Sequence, residues 1–175
     1  MYQFKGKYFE ELNLGDVYET ARRTITEADV VQFAGLSGDF NPLHTDEVFG
    51  KENTPFKTRI AHGMLIVSVA TGLANQLGIF EGTSLALLSM TIKYTGAVLF
   101  GDTIRLVLKV TEKKESSKPD RGMITFDCAV LNQKDEKVIE SQWIVLLMRI
   151  SHIKRDADKR RVPPQGGTTQ NIMGC

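Results

Sequence analysis

Residues 63–80 (GMLIVSVATGLANQLGIF) form a run of 18 without a single charged side chain, and no other feature of the sequence limits the fold so strongly. A run of that length lies near the lower limit for a helix that crosses a membrane. It also contains Ser68, Thr71, Asn75, Gln76 and three glycines, which a helix at mid-bilayer accommodates poorly. The remaining reading is a helix buried on nearly every side inside a soluble core, since a helix without a polar face needs protein around it. No membrane association is expected.

The flanking segments indicate what surrounds that helix. Residues 17–25 (VYETARRTI) are rich in β-favouring side chains and read as a strand. Thr26 then offers a helix cap, with Asp29 three residues on as a capping-box partner. Ala28, Val30, Val31, Phe33 and Ala34 supply the apolar stripe, and Gly35 or Gly38 is the expected end. Residues 37–61 read as a long loop punctuated by Gly38, Pro42, Gly50 and Pro55, with a helical turn at 45–49. Phe40, Leu43, Phe49 and Phe56 give this loop enough apolar surface to pack in an ordered form. Strand-like runs follow at 84–94, 103–113, 122–132 and 137–150, and the LNQKDEKV segment has hairpin-turn composition. A strand, helices and then a series of antiparallel strands make an α+β arrangement. A sheet wrapped around the apolar helix would explain its missing polar face.

Composition narrows the function classes. The chain has 175 residues, 42 % hydrophobic and 25 % charged, as expected for one folded domain. Its 22 basic and 21 acidic residues leave a formal net charge of +1, which provides no global attraction to nucleic acid. Residues 151–175 differ: they are polar, include Pro163-Pro164 and Gly166-Gly167, and carry a local charge of +3 over 154–161. The expectation is a domain over 1–150 and a solvated, mobile tail over 151–175. Two cysteines do not make a disulfide framework. Cys128 lies in a strand-like run and should be packed, and Cys175 has no nearby base to activate it. The opening MYQFKGKYFEELNLGD has no apolar signal segment, so a cytoplasmic location is expected.

Reactive side chains concentrate in the loop. Asp39 and His44 lie five positions apart across Asn41-Pro42, a strong turn former that can bring both to one point. A carboxylate with an imidazole can move protons to and from water near neutral pH. Ala61-His62-Gly63-Met64 is the junction with the apolar helix. A helix start presents unpaired N–H groups and the positive end of the dipole, which suit an oxygen that gains negative charge. Taken singly, Asp39, Asn41 and His44 also fit ordinary turn or core roles, and His62 fits a role in shaping the turn into the helix.

Taken together, residues 33–44 (FAGLSGDFNPLH), 59–64 (RIAHGM) and 94–102 (YTGAVLFGD) resemble the MaoC-like (R)-specific enoyl-CoA hydratases over about residues 8–150. The resemblance implies the hot-dog fold, a curved antiparallel sheet around a central helix. It implies Asp39 and His44 as the catalytic acid/base pair and Asn41 as a support of their loop. The Gly63 N–H falls on the group that receives the thioester oxygen, and Thr71 falls on a hydroxyl position near the histidine, often serine in the family. The implied substrate is an acyl-CoA thioester, with no metal or redox cofactor, and the implied assembly is a homodimer or higher homo-oligomer.

Other expectations rest on the residues. Met64 and Leu65 are candidates to line an acyl pocket, and Lys57 and Arg59 to meet CoA phosphates. Two competing readings are a metal triad of His44, Asp46 and His62, and a thioesterase or non-catalytic acyl-thioester-binding module on the same fold.

Overall fold

The computed structural model describes residues 5–150; the expected tail at 151–175, with Cys175, lies outside the described residues. Six strands among the described residues form an antiparallel sheet: β1 (Val17–Glu19), β2 (Arg23–Thr24), β3 (Ser84–Tyr94), β4 (Thr103–Glu115), β5 (Arg121–Leu131) and β6 (Lys137–Met148). The order is β1-β4-β5-β6-β3, and β2 pairs with β4 beyond β1. The strand expected over 17–25 is therefore two short ones. Thr20 causes the break: its N–H donates to the Leu106 carbonyl at 3.0 Å, while its hydroxyl, in place of a main-chain carbonyl, accepts from the Leu106 N–H at 3.0 Å.

Alternation in β4 buries Ile104, Leu106, Leu108 and Val110, and β5 adds Ile124, Phe126, Cys128 and Val130 to the same core. Their inward face packs on the helix α4 (Gly63–Gln76), which contributes Leu65, Ile66, Val69, Ala70, Leu73 and Ala74. The apolar run is thus one helix of 14 residues and not 18. Gly78 turns the chain at φ +75°, and Ile79 and Phe80 pack after the turn. Nor is α4 buried on nearly every side. Met64, Ser68, Gly72 and Asn75 form an exposed stripe, at the i, i+4, i+8, i+11 spacing that shares one helix face. Hydropathy hid that stripe because its side chains are small or uncharged. Among the described residues no helix is long and apolar enough to cross a membrane.

The helix α1 (Glu27–Ser37) begins as expected, with the Thr26 hydroxyl accepting from the Asp29 N–H and the Asp29 carboxylate accepting from the Thr26 N–H. It ends at Gly38, whose φ of +78° suits glycine and whose N–H donates to the Ala34 carbonyl at 2.8 Å. Val30 and Ala34 are buried, whereas Val31 faces solvent, so the stripe is narrower than expected. The long loop contains two short helices, α2 (Pro42–Thr45) and α3 (Glu47–Asn53), in place of one turn over 45–49. Asp46 separates them, since its carboxylate accepts from the Phe49 N–H at 3.0 Å and starts α3. Of the loop's expected packing residues, Phe40 is largely exposed and Phe49 and Phe56 are only partly covered.

Candidate active site

A ladder of local hydrogen bonds sets the Asp39–His44 segment. The Ser37 hydroxyl donates to the Phe33 carbonyl at 2.7 Å and accepts from the Asp39 N–H at 3.2 Å. The Asp39 carboxylate accepts from the Asn41 N–H at 3.2 Å, and the Asn41 side chain accepts from the Leu43 N–H at 3.0 Å. Asn41 is thus the cap of α2, and Pro42 takes the first helical position, where its missing N–H costs nothing. His44 follows in the same turn and reaches across to residue 60: its Nδ1 lies 2.7 Å from the Ile60 carbonyl oxygen. A carbonyl only accepts, so Nδ1 carries the proton, and Nε2 is left as a lone pair in the neutral ring.

The Ile60 carbonyl is itself well fixed. The Ile60 N–H donates to the Leu43 carbonyl at 3.2 Å, and residue 60 bridges Leu99. Arg59 holds the same loop, with its guanidinium on Glu27 at 2.7 Å and Glu47 at 3.1 Å and over the Phe100 ring at 4.7 Å. The main-chain N–H of Arg59 is the largest influence keeping the Glu47 carboxyl below its ordinary range.

His62 immediately precedes α4 and is only 2 % exposed. Its Nε2 donates to the Asp39 carbonyl at 2.9 Å, and its Nδ1 is buried without a hydrogen-bond partner among the described residues. The ring lies 3.8 Å from that of His44 and 5.1 Å from that of Phe33, centre to centre. A carboxylate oxygen of Asp39 and one nitrogen from each of His44 and His62 all fall within 4.8 Å of one another. These are donor types that bind a proton, a water or a metal ion alike. Gly63, the first residue of α4, stands next to them. A Cβ there would lie 2.5 Å from the Tyr94 ring, so any larger residue would have to displace that ring.

Asp39, His44, His62, Gly63 and Met64 line one cavity of about 810 Å³, closed by apolar side chains including Phe33, Leu43, Ile66, Val98 and Ile139. Other expected site residues fall elsewhere. Leu65 points into the core at 7 % exposure, one residue round the helix from Met64. Thr71 is not among the lining residues; it lies about 12 Å along the helix axis from Gly63 by the usual rise, and its hydroxyl donates to the Ser68 carbonyl at 2.8 Å. Arg59 is committed to its two glutamates, and Lys57 is exposed outside the lining, next to Phe56, which is part of it. Asp46 caps α3, so the third member of the acidic and imidazole cluster is Asp39 instead. The sequence reading missed Phe56, Tyr94, Thr95 and Ile139 as cavity residues. Tyr94 and Thr95 belonged to a recognised segment, but only the pairing of β3 with β6 brings them beside α4.

An antiparallel sheet curved about one central helix defines a hot-dog protein, and here a carboxylate and an imidazole gather at that helix's first turn. A Mycobacterium tuberculosis protein with a double hot-dog fold superposes with a TM-score of 0.75 at 19 % identity, over 85 % of this chain and 46 % of that one. Residues 10–128 match the MaoC like domain, and the chain belongs to that family. Among its relatives, a 3-hydroxybutyryl-CoA dehydratase of Methylorubrum extorquens is 30 % identical over 91 % of this chain and 94 % of its own length. An (R)-specific enoyl-CoA hydratase of Rhodospirillum rubrum is 34 % identical, over 80 % and 91 %.

Proposed function

We propose that this protein is a hydro-lyase that reversibly adds water to a trans-2-enoyl-CoA to give the (R)-3-hydroxyacyl-CoA. The observation that carries this reading is the approach of the Asp39 carboxylate and the imidazoles to within 4.8 Å in a cavity that also exposes the first residue of α4. Two acceptors at that spacing can hold one water between them, each through a hydrogen bond of ordinary length. The thioester carbonyl makes C3 of the substrate electrophilic. The water oxygen bonds to C3, one water proton passes to the Asp39–His44 pair, and the pair delivers a proton to C2. Charge that gathers on the thioester oxygen is met by the Gly63 N–H and the positive end of α4. One such donor contributes about 10²–10³ in rate, and acid–base help about 10²–10⁴. This route uses no metal or redox cofactor.

Asn41 acts by fixing the turn, and His62 by fixing the Asp39 carbonyl. The apolar walls and Met64 suit an acyl chain, and Lys57, exposed next to Phe56 of the lining, is the cation placed to meet CoA phosphates. The working form is a homodimer, for which the supporting feature is the outer edge of β3, unpaired among the described residues, with exposed Leu85, Leu87 and Leu88.

The test is turnover of crotonyl-CoA, followed by loss of the conjugated double bond, in Asp39→Asn and His44→Gln. Each is expected to fall by at least about 10²-fold, the low end of acid–base effects, with the circular dichroism spectrum unchanged. Near wild-type turnover in both variants would sink the acid–base assignment. An (S)-alcohol product would sink the stereochemical one, and release of free CoA would replace hydration with thioester cleavage.

A further inference from the structure

Three hydroxyl groups line the cavity, on Ser37, Tyr94 and Thr95. Two are already committed to main-chain carbonyls: Ser37 to Phe33 at 2.7 Å and Thr95 to Lys137 at 2.7 Å. The third differs. The Tyr94 hydroxyl has as its hydrogen-bond acceptor the thioether sulfur of Met64, at 3.4 Å. A thioether is a weak acceptor, so this O–H gains by turning to an oxygen that bears charge. The phenol is also correctly located. Its ring is the group that a Cβ on Gly63 would strike, with Cε1, Cζ and Cδ1 the three nearest atoms. The hydroxyl end of Tyr94 therefore lies beside the first residue of α4, on the wall that carries the proposed oxyanion N–H. Tyr94 ends β3, whose pairing with β6 holds its backbone in register opposite Ile139, another wall residue. The side chain remains 51 % exposed and Met64 52 %, so the hydroxyl can change partner without repacking the core.

We propose that the Tyr94 hydroxyl is a second hydrogen-bond donor to the thioester oxygen, paired with the Gly63 N–H, and leaves the Met64 sulfur when substrate binds. This rests on the hydratase reading given above. As the reaction proceeds, the carbonyl oxygen gains negative charge while its carbon–oxygen bond loses double-bond character. A neutral phenol strengthens its hydrogen bond to that oxygen without transferring the proton, so Tyr94 takes no part in the proton balance at C2 and C3. A donor of this kind acts mainly on the transition state. Its loss lowers kcat far more than it raises KM.

Tyr94→Phe removes only the hydroxyl and keeps the ring against Gly63. The expected result with crotonyl-CoA is a fall in kcat of about 10²-fold, with KM within about threefold and the same pH profile as the wild type. A second readout needs no turnover. Hexadienoyl-CoA bound to Asp39→Asn should absorb at longer wavelength than in water, because donors at the carbonyl oxygen polarise the conjugated system. In the Asp39→Asn/Tyr94→Phe double variant that red shift should shrink by half or more. An unchanged shift, or a Tyr94→Phe kcat within twofold of wild type, overturns the proposal. If the wild type fails to hydrate crotonyl-CoA, the hydratase reading fails instead, and if Asp39→Asn turns the dienoyl thioester over, the acid–base assignment of Asp39 fails. The two failures are thus separable.

Discussion

At Gly63 and Gly122 an added methyl group would meet an aromatic ring at almost the same distance, yet the consequences should differ. A Cβ on Gly122 would lie 2.4 Å from the Phe9 ring, which is buried at 5 % exposure beneath the sheet. That ring has nowhere to go, so Gly122→Ala should cost about 1–3 kcal/mol as an overpacked core, read by urea unfolding. Turnover per folded molecule should be unaffected. A Cβ on Gly63 would lie 2.5 Å from the Tyr94 ring, which is half exposed and free to swing outward. Gly63→Ala should therefore leave the unfolding midpoint nearly in place and depress crotonyl-CoA turnover. Equal effects of both variants on stability would contradict this account. Cys128 illustrates a quieter residue: burial, with the neighbouring Asp127, pushes its thiol well above the ordinary range, consistent with a packing role.

The helix α1 matters for the site because its last turn leads into Asp39. Its start depends on the reciprocal bonds of Thr26 and Asp29. Burial pushes the Asp29 carboxyl up, but the Thr26 N–H, the Thr26 hydroxyl and Arg23 together outweigh it, and the net result lies below the ordinary value of 3.8. A carboxyl depressed in the folded state adds stability at pH values above its unfolded value and loses it as pH falls through the folded one. Thr26→Ala should thus cost about 1 kcal/mol at neutral pH. The stability gap between wild type and Asp29→Asn should narrow progressively below about pH 4, where the unfolded carboxyl begins to bind protons. Denaturant melts across that range would show it, and a gap that widened in acid would refute the cap's role. The Thr-x-x-Asp start of this element was legible in the sequence, its end was narrowed to Gly35 or Gly38, and the structure selects Gly38.

For the whole molecule, the edge of β3 that no other described strand pairs is the feature with the widest consequences. Sheets rarely leave a long apolar edge unpaired, because its free N–H and C=O groups invite another strand. Leu87 and Leu88 are both about half exposed there, where the register with β6 shifts between Leu87 and Ser89. Sizing chromatography with light scattering should give twice the chain mass of 19.5 kDa. Replacing Leu87 and Leu88 together by Glu should shift the protein to a monomer, and a wild-type monomer would remove the dimer from the proposal.

The sequence by itself determined the central helix, the later strands and the reactive segment. An uncharged run flanked by strand-like alternation specified one helix against a sheet, since local periodicity follows directly from which faces meet water. The turn around Asn41-Pro42 was equally readable, because caps and proline act within a few residues. Only the tertiary structure decided what depends on distant partners. It turned Leu65 away from the cavity and Met64 toward it, committed Arg59 to Glu27 and Glu47, left Thr71 outside the lining, and placed Tyr94 beside Gly63. The reason is that a side chain's neighbours across the fold are set by strand register and helix docking, which one stretch of sequence does not contain. His62 shows the boundary most clearly: its type and position were evident, but its stacking on His44 and its bond to the Asp39 carbonyl exist only once the loop has closed over the helix.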